Sequence, residues 1–422
     1  MPLPDALGIP APLQVFEPSR AAALQRLDAL QPAVYARTRN ALDGAVSGLS
    51  PYLTHGVISL REAAQWVHAR HPLTWRDKLV AEFGWRAFFH HVWTHAEAGG
   101  DAILHDLRPT APWPGRYATT LPADIREGRT GVAAIDAAVR VLYATGYLHN
   151  HARMWLASYV VHLRKVHWRA GADWLYGHLL DGDLPSNHLS WQWVAGTFSS
   201  KPYLFNAANV RQFAPAAAAG AWDSSGSAID RSYEELDAVA RTQGDVGPEP
   251  GVHDAVAEPV LHGAVLTSFM PDVPVGWSLS AMNNIAESLV QLIHPWSLSQ
   301  PQTEAAASPA ARPFRLGLIH LPAHQAWPWS ERRWRFVLQA MAAVTDAVFI
   351  GDARTLDLSA AAGVHAQATR FPGYREVLPQ LAQLAPAPDL FPDAPQPCQS
   401  FSQFYARSQR DTPQFSDLLL IE

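Results

Sequence analysis

The chain has 422 residues, 48% of them hydrophobic and 17% charged, which is enough for two or three domains with sizeable cores. Its single cysteine, Cys398, excludes a disulfide framework, a cysteine-ligated iron–sulfur cluster and a multi-cysteine zinc site, and it fits a reducing cytoplasm. The net charge of −6 argues against a general nucleic-acid binder, yet it averages two unlike parts: residues 1–215 hold 20 Lys/Arg against 16 Asp/Glu, and residues 216–422 hold 12 against 22. A mildly basic first part is compatible with phosphate contacts. No run of 18 apolar residues exists, and MPLPDALGIP lacks the basic-then-apolar pattern of a signal peptide. A cytoplasmic protein with no membrane span is expected.

In chain order, residues 15–215 read as helical. Stretches 61–70, 76–97, 131–145, 150–168 and 172–180 lack proline and repeat apolar residues every three or four positions. Ile135, Val139 and Leu142 share one face. The stretch 150–166 is apolar nearly all round, which predicts a buried central helix, with Gly146 as punctuation before it. Pro109, Pro112, Pro114 and Pro122 mark a loop. Residues 216–260 turn Ala-, Ser/Gly-rich and acidic and read as a linker or an extended peripheral segment. Residues 261–422 change again: Leu289–Ile293, Phe314–Leu321 and 347–350 read as short buried strands and 334–344 as a helix, with 301–313 a loop. The expected class is therefore mainly α, in a helical domain over 15–215, followed by a small α/β domain over 261–422.

The densest cluster of chemistry is 181–195, DGDLPSNHLSWQWVA, with Asp181, Asp183, Asn187, Trp191 and Trp193. Carboxylates resist burial unless paired, and indole N–H groups want partners. An amide near a redox-active ring, with a tryptophan one turn further on, suits a flavin. A Trp-rich helix packed on a core accounts for the same residues on composition alone. Glu82, Trp85 and Arg86 share a helix face, as an ion pair beside a core tryptophan or as a stacking platform with polar groups for base edges. Ser47 and Ser50 stand before a helix start, as a plain cap or as diphosphate ligands. His91 and His95, with His90 adjacent, have metal spacing but no evident third ligand, and read as helix surface without a metal.

These runs occur in one order. Ser47–Leu53, Glu82–Arg86, Gly128–Gly131, His149–Met154, Asp181–Trp193 and Phe205–Asn206 together resemble the flavin-binding domain of the DNA photolyase/cryptochrome family. The C-terminal part loosely resembles, by its order of elements, the antenna-type α/β domain that photolyases carry at the N-terminus, here relocated.

The resemblance implies FAD as cofactor. It implies that Tyr35, Ser47, Leu49, Ser50, Arg86, Asn150, Arg153, Asp181, Asp183 and Asn187 line its site, with Asn187 facing the ring. Glu82, Trp85, Asn150, His151, Met154 and Trp193 would face a flipped pyrimidine dimer in DNA, and Met154 favours cyclobutane dimers. Trp191 and Trp168 match the two inner members of an electron-carrying tryptophan chain. The outer position falls at Gly115, where Trp113 or Tyr117 would substitute or the electron chain would be shorter. Val46 stands where many members have threonine. The usual phosphate-contacting residues near Phe205 are not plainly present, and Lys201 and Arg211 would serve in their place. The implied activity is light-driven repair of cyclobutane pyrimidine dimers. The alternatives are a cryptochrome-like blue-light receptor and an FAD-binding relative without repair. A second, antenna-type chromophore and the oligomeric state are left open.

Overall fold

A computed structural model describes residues 3–420 except 97–100, 109–116, 200, 243, 250, 252, 270–284, 286, 300–311 and 393. Helix makes up 49% of it, and the rest is organised by a small parallel sheet near the C-terminus. The mainly helical class with a small α/β part is therefore what the chain adopts.

The helices begin and end where local chemistry dictates. Leu60–His68 starts at Ser59, whose hydroxyl accepts from the Glu62 N–H. Ala133–Thr145 stops at Gly146, which takes φ +70°, a conformation that costs glycine little. Ile135, Val139 and Leu142 are all buried, and the helix is buried on nearly every face. Lys78–His95 and Leu184–Ala195 are the other long elements of the centre. Leu184–Ala195 packs against Lys78–His95, Asn150–Ser158 and Trp168–His178, which makes it the axis of the helical half.

The stretch expected as one helix over 150–168 is divided. Asn150–Ser158 continues through a wider turn over Tyr159–Leu163, and a new helix starts at Trp168. Lys165 breaks the run with φ +50°. Its ammonium caps Tyr233–Ala240 by donating to the carbonyls of Val239 and Ala240. Apolar periodicity runs across this break and conceals it. Residues 216–260 carry helices Ala219–Trp222 and Tyr233–Ala240, and Trp222, Ile229 and Leu236 are buried in the helical half.

Seven strands follow among the described residues: β1 Leu261–His262, β2 Leu289–Ile293, β3 Phe314–His320, β4 Trp329–Ser330, β5 Ala347–Gly351, β6 Gly363–Gln367 and β7 Gln383–Ala385. β1 and β4 form a short antiparallel pair. The other five form a parallel sheet in the order β5-β3-β2-β6-β7. Parallel pairing needs crossovers, and helices Glu331–Ala342 and Tyr374–Leu381 supply two of them. β3 is buried on both faces, as its apolar run predicts, and β2 buries Val290, Leu292 and Ile293 while Leu289 at its start is exposed. Strand order reverses between β2 and β6, and in open sheets of this kind the crevice beyond the carboxyl ends at that point is where ligands bind. Here that end faces the helical half: the Leu298 N–H donates to the His55 carbonyl, and the His55 ring meets the Pro295 carbonyl at 2.7 Å.

The last residues return to the helical half. Arg61 donates to the carbonyls of Leu418 and Asp389, Trp75 to that of Thr412, and helix Phe401–Asp411 lies along Lys78–His95.

Candidate flavin site

The centre of the site is the turn Leu180–Asp183 that leads into Leu184–Ala195. Asp183 is the N-cap of that helix and accepts from the Ser186 N–H at 3.2 Å, with Pro185 in the first turn. Asp181 and Asp183 are 5% and 6% exposed. Carboxylates so placed need partners, and two separate sets supply them.

Asp181 receives both its oxygens' bonds from Arg153 Nη2, at 2.7 and 3.0 Å, and a third from Ser50 Oγ at 2.6 Å. Arg153 is held in turn by its Nε on the Leu148 carbonyl and lies over the Tyr147 ring. Burial pushes the Tyr147 phenol up to about 12. Tyr35 belongs to the same group: burial and then the Glu82 carboxylate push its phenol up, and Tyr147 acts on it as well.

Asp183 is bonded by Arg86 Nη2 at 3.3 Å, faces His90 Nε2 at 3.1 Å, and accepts from the Ser186 hydroxyl. Burial acts to raise its carboxyl, but Arg86, His90 and Ser186 outweigh it and hold the group well below the usual carboxylate range. Arg86 also reaches Thr54, whose hydroxyl lies 3.4 Å from the Asp181 carbonyl. The two carboxylates thus sit in one continuous frame of Ser50, Thr54, Arg86, His90 and Arg153.

Asn187 lies one turn into the helix, 9% exposed, with Nδ2 donating to the Ala172 carbonyl at 2.8 Å. A further turn on, Trp191 packs over Gly171, where a Cβ would lie 2.3 Å from the indole ring. Trp168 stands one turn before Gly171 on the same helix, is 3% exposed, and donates from Nε1 to Asp106 at 2.6 Å.

A cavity of about 690 Å³ opens from this frame toward the second half. Thr54, Arg86, His90 and Asp183 line it on one side, and Trp296, Gln367 and Phe371, from the ends of β2 and β6, on the other. The frame fits a dinucleotide with a planar, hydrogen-bonding ring: cationic and hydroxyl donors for anionic oxygens, and an anchored amide beside them.

Residues 79–246 match the family model described as the FAD binding domain of DNA photolyase. This part of the chain belongs to the photolyase/cryptochrome family. The chain is 33% identical over 232 residues to a deoxyribodipyrimidine photo-lyase of Synechococcus, covering 52% of this chain and 46% of the relative. With a deoxyribodipyrimidine photo-lyase of Thermus thermophilus it shares 39% over 193 residues, 45% and 44% of the two chains. The crystal structure of a Synechocystis cryptochrome aligns with a TM-score of 0.44 at 24% identity, over 58% of this chain and 55% of that one. The chain spans about half the length of the curated relatives it matches.

Among the residues expected at a photolyase-type flavin, Ser50, Arg86, Arg153, Asp181 and Asp183 are joined by direct bonds, while Tyr35 stands on helix Pro32–Thr38, which packs against Lys78–His95. Ser47 and Leu49 lie just before helix Ser50–Thr54, where the Leu49 N–H meets Ser47 Oγ at 3.4 Å and the Leu49 side chain is buried. Asn150 is exposed, with its amide on the Met154 sulfur at 3.6 Å.

The residues expected at a lesion differ in access. The Glu82 side chain is 44% exposed and lies 3.5 Å from Arg39. Trp193 is 36% exposed beside Tyr203. The His151 ring lies against Phe213 and Trp155. Trp85 is stacked on Phe401 of the C-terminal helix, with centroids 4.1 Å apart and planes 9° from parallel. Of the candidates for the outer electron carrier, Gly115 and Trp113 lie outside the described residues. The Tyr117 phenol is pushed up to about 12 by burial and by Asp106, the same carboxylate that holds Trp168.

Sequence reasoning missed His90, Thr54, Arg39 and Asp106. His90 was grouped with His91 and His95, but it faces Asp183, whereas His91 Nε2 accepts from the Cys398 N–H. Its spacing of four from Arg86 was the available signal.

Proposed function

We propose that the helical half holds FAD and that the protein repairs cyclobutane pyrimidine dimers in DNA under blue light. The observation that carries this reading is the two-carboxylate frame, in which Arg153 and Ser50 fix Asp181 while Arg86 and His90 fix Asp183. That frame would bind the ribityl chain and ring edge, with Ser47, Leu49 and Ser50 at the phosphates and Tyr35 and Asn150 completing the lining. Asn187, tied down through Nδ2, keeps its amide oxygen for a ring N–H and has no acidic proton to give. When bound, reduced FAD supplies the light-driven electron that opens the dimer and takes it back afterwards.

The remaining work belongs to side chains. Glu82, Asn150, His151 and Met154 would hold the base edges, and Trp85 and Trp193 would stack on them. Trp191 and Trp168 would carry electrons inward, with Asp106 fixing the Trp168 indole. Glu82→Ala should slow light-dependent repair of a dimer-containing oligothymidine at unchanged FAD content. Repair at the wild-type rate in that variant would remove the pocket assignment.

One observation favours a second reading, a cryptochrome-like receptor: Phe401 covers a face of Trp85. Light would then displace helix Phe401–Asp411 without dimer splitting. Identical solution scattering in dark and light would count against it.

A further inference from the structure

The Asp181–Gly182–Asp183 turn is held from behind by a residue that the family match does not reach. Arg333, on helix Glu331–Ala342 of the α/β half, is fully buried. Its Nη2 donates to the Gly182 carbonyl at 2.6 Å and its Nη1 to the Tyr176 carbonyl at 3.0 Å. The guanidinium lies 4.1 Å from the Trp329 ring centroid and 4.7 Å from that of Tyr176. Among the described residues it forms no ion pair, and Nε has no acceptor.

A buried cation without a carboxylate partner is a costly way to join two layers, and an apolar side chain of similar volume often serves as well or better. What an apolar side chain cannot do is grip a backbone carbonyl. The carbonyl gripped here lies between the two carboxylates of the frame. The fit is close: a Cβ on residue 182 would fall 2.3 Å from Arg333 Nη1. The same turn is held a second time, since the His55 ring spans the Leu180 and Pro295 carbonyls at 2.9 and 2.7 Å. The backbone of the turn is therefore held from both sides, by Arg333 of the α/β half at Gly182 and by His55 of the helical half at Leu180, while its carboxylates are set by the helical half.

We propose that Arg333 is a positioning residue of the flavin site, fixing the Asp181–Gly182–Asp183 turn so that both carboxylates face the cofactor. The α/β half is then part of the site and not an appendage to it. This rests on the flavin reading above.

The test uses the full chain and three variants. Arg333→Met removes both donors at similar volume. Arg333→Lys keeps the charge without the planar fork. Arg61→Ala releases the C-terminal segment at Leu418 and Asp389, away from the turn. FAD release is followed by the recovery of flavin fluorescence, unfolding temperature by calorimetry, and amide exchange over 180–183 by mass spectrometry on cofactor-free protein.

Both Arg333 variants should release FAD at least tenfold faster and exchange at least tenfold faster over 180–183. Arg333→Met should keep an unfolding temperature close to wild type, and Arg61→Ala should hold FAD normally. FAD release at the wild-type rate from Arg333→Met overturns the proposal. So does loss of FAD from Arg333→Met and Arg61→Ala alike in step with lowered unfolding temperature, because that is stability alone. Rescue by Arg333→Lys would overturn the carbonyl grip in favour of charge. If wild-type protein takes up no FAD, the flavin reading fails, and the exchange rates still decide whether Arg333 fixes the turn.

Discussion

Asp183→Asn separates the charge of the frame from its shape. Asparagine caps a helix about as well as aspartate, so the start of Leu184–Ala195 survives. What is lost is the ionic partner of Arg86 at 3.3 Å and the carboxylate that faces His90 at 3.1 Å. Breaking a fully buried pair costs about 3–5 kcal/mol. Here the Asp183 side chain is 8% exposed, but those of Arg86 and His90 are 22% and 30% exposed, so water recovers part of the loss and about 2–3 kcal/mol is expected near pH 7.

The sign with pH follows from the direction of the shift. The folded carboxyl lies below its ordinary value of 3.8. Its contribution is therefore complete above that value and lost as pH falls below 3.8 through the folded value. Urea midpoints of wild type and variant, converted with a common m, should differ by about 2–3 kcal/mol at pH 7. That gap should be nearly as wide at pH 5 and should narrow steadily below pH 4. A gap that stays constant down to pH 2, or no gap at pH 7, would refute the ionic argument.

Other outcomes follow from the same geometry. Gly171→Ala puts a methyl 2.3 Å from the Trp191 ring, and a rigid indole yields poorly, so calorimetry should show about 1–3 kcal/mol of destabilisation. Phe401→Ala uncovers Trp85; acrylamide should quench tryptophan fluorescence more strongly, and unchanged quenching would mean that the C-terminal helix already leaves Trp85 open. Tyr117→Phe should leave the unfolding temperature within about 1 °C, a surface-like effect, while slowing light-driven reduction of bound flavin several-fold. An unaltered rate there would exclude the phenol from the electron path.

Local signals carried much of the fold. Helices Leu60–His68, Lys78–His95 and Ala133–Thr145 and strands β2, β3 and β5 follow from apolar period and caps within a residue or three of their ends. β6 escaped notice because GVHAQ has no apolar run and its alternation is only two apolar residues long, Val364 and Ala366, and β7 is a three-residue edge. The break at Lys165 is invisible because it is made by a contact with Val239 and Ala240, more than seventy positions away. Asp181, Asp183, Arg86 and Arg153 were legible as motif residues. Their pairing was not, since it depends on a turn folding back onto two earlier helices. Arg333 stands in a charged run with Glu331, Arg332 and Arg335 that by composition suits a solvated face, and only the packing of the α/β half against that turn shows it to be buried.

The most direct measurement is blue-light repair by the reduced, FAD-loaded protein of an oligothymidine carrying cyclobutane dimers, followed by the recovery of absorbance near 260 nm, with a dark control. Dimers should disappear in the light and persist in the dark. Dimers that survive illumination while FAD is shown to be bound in the same sample would contradict a repair function.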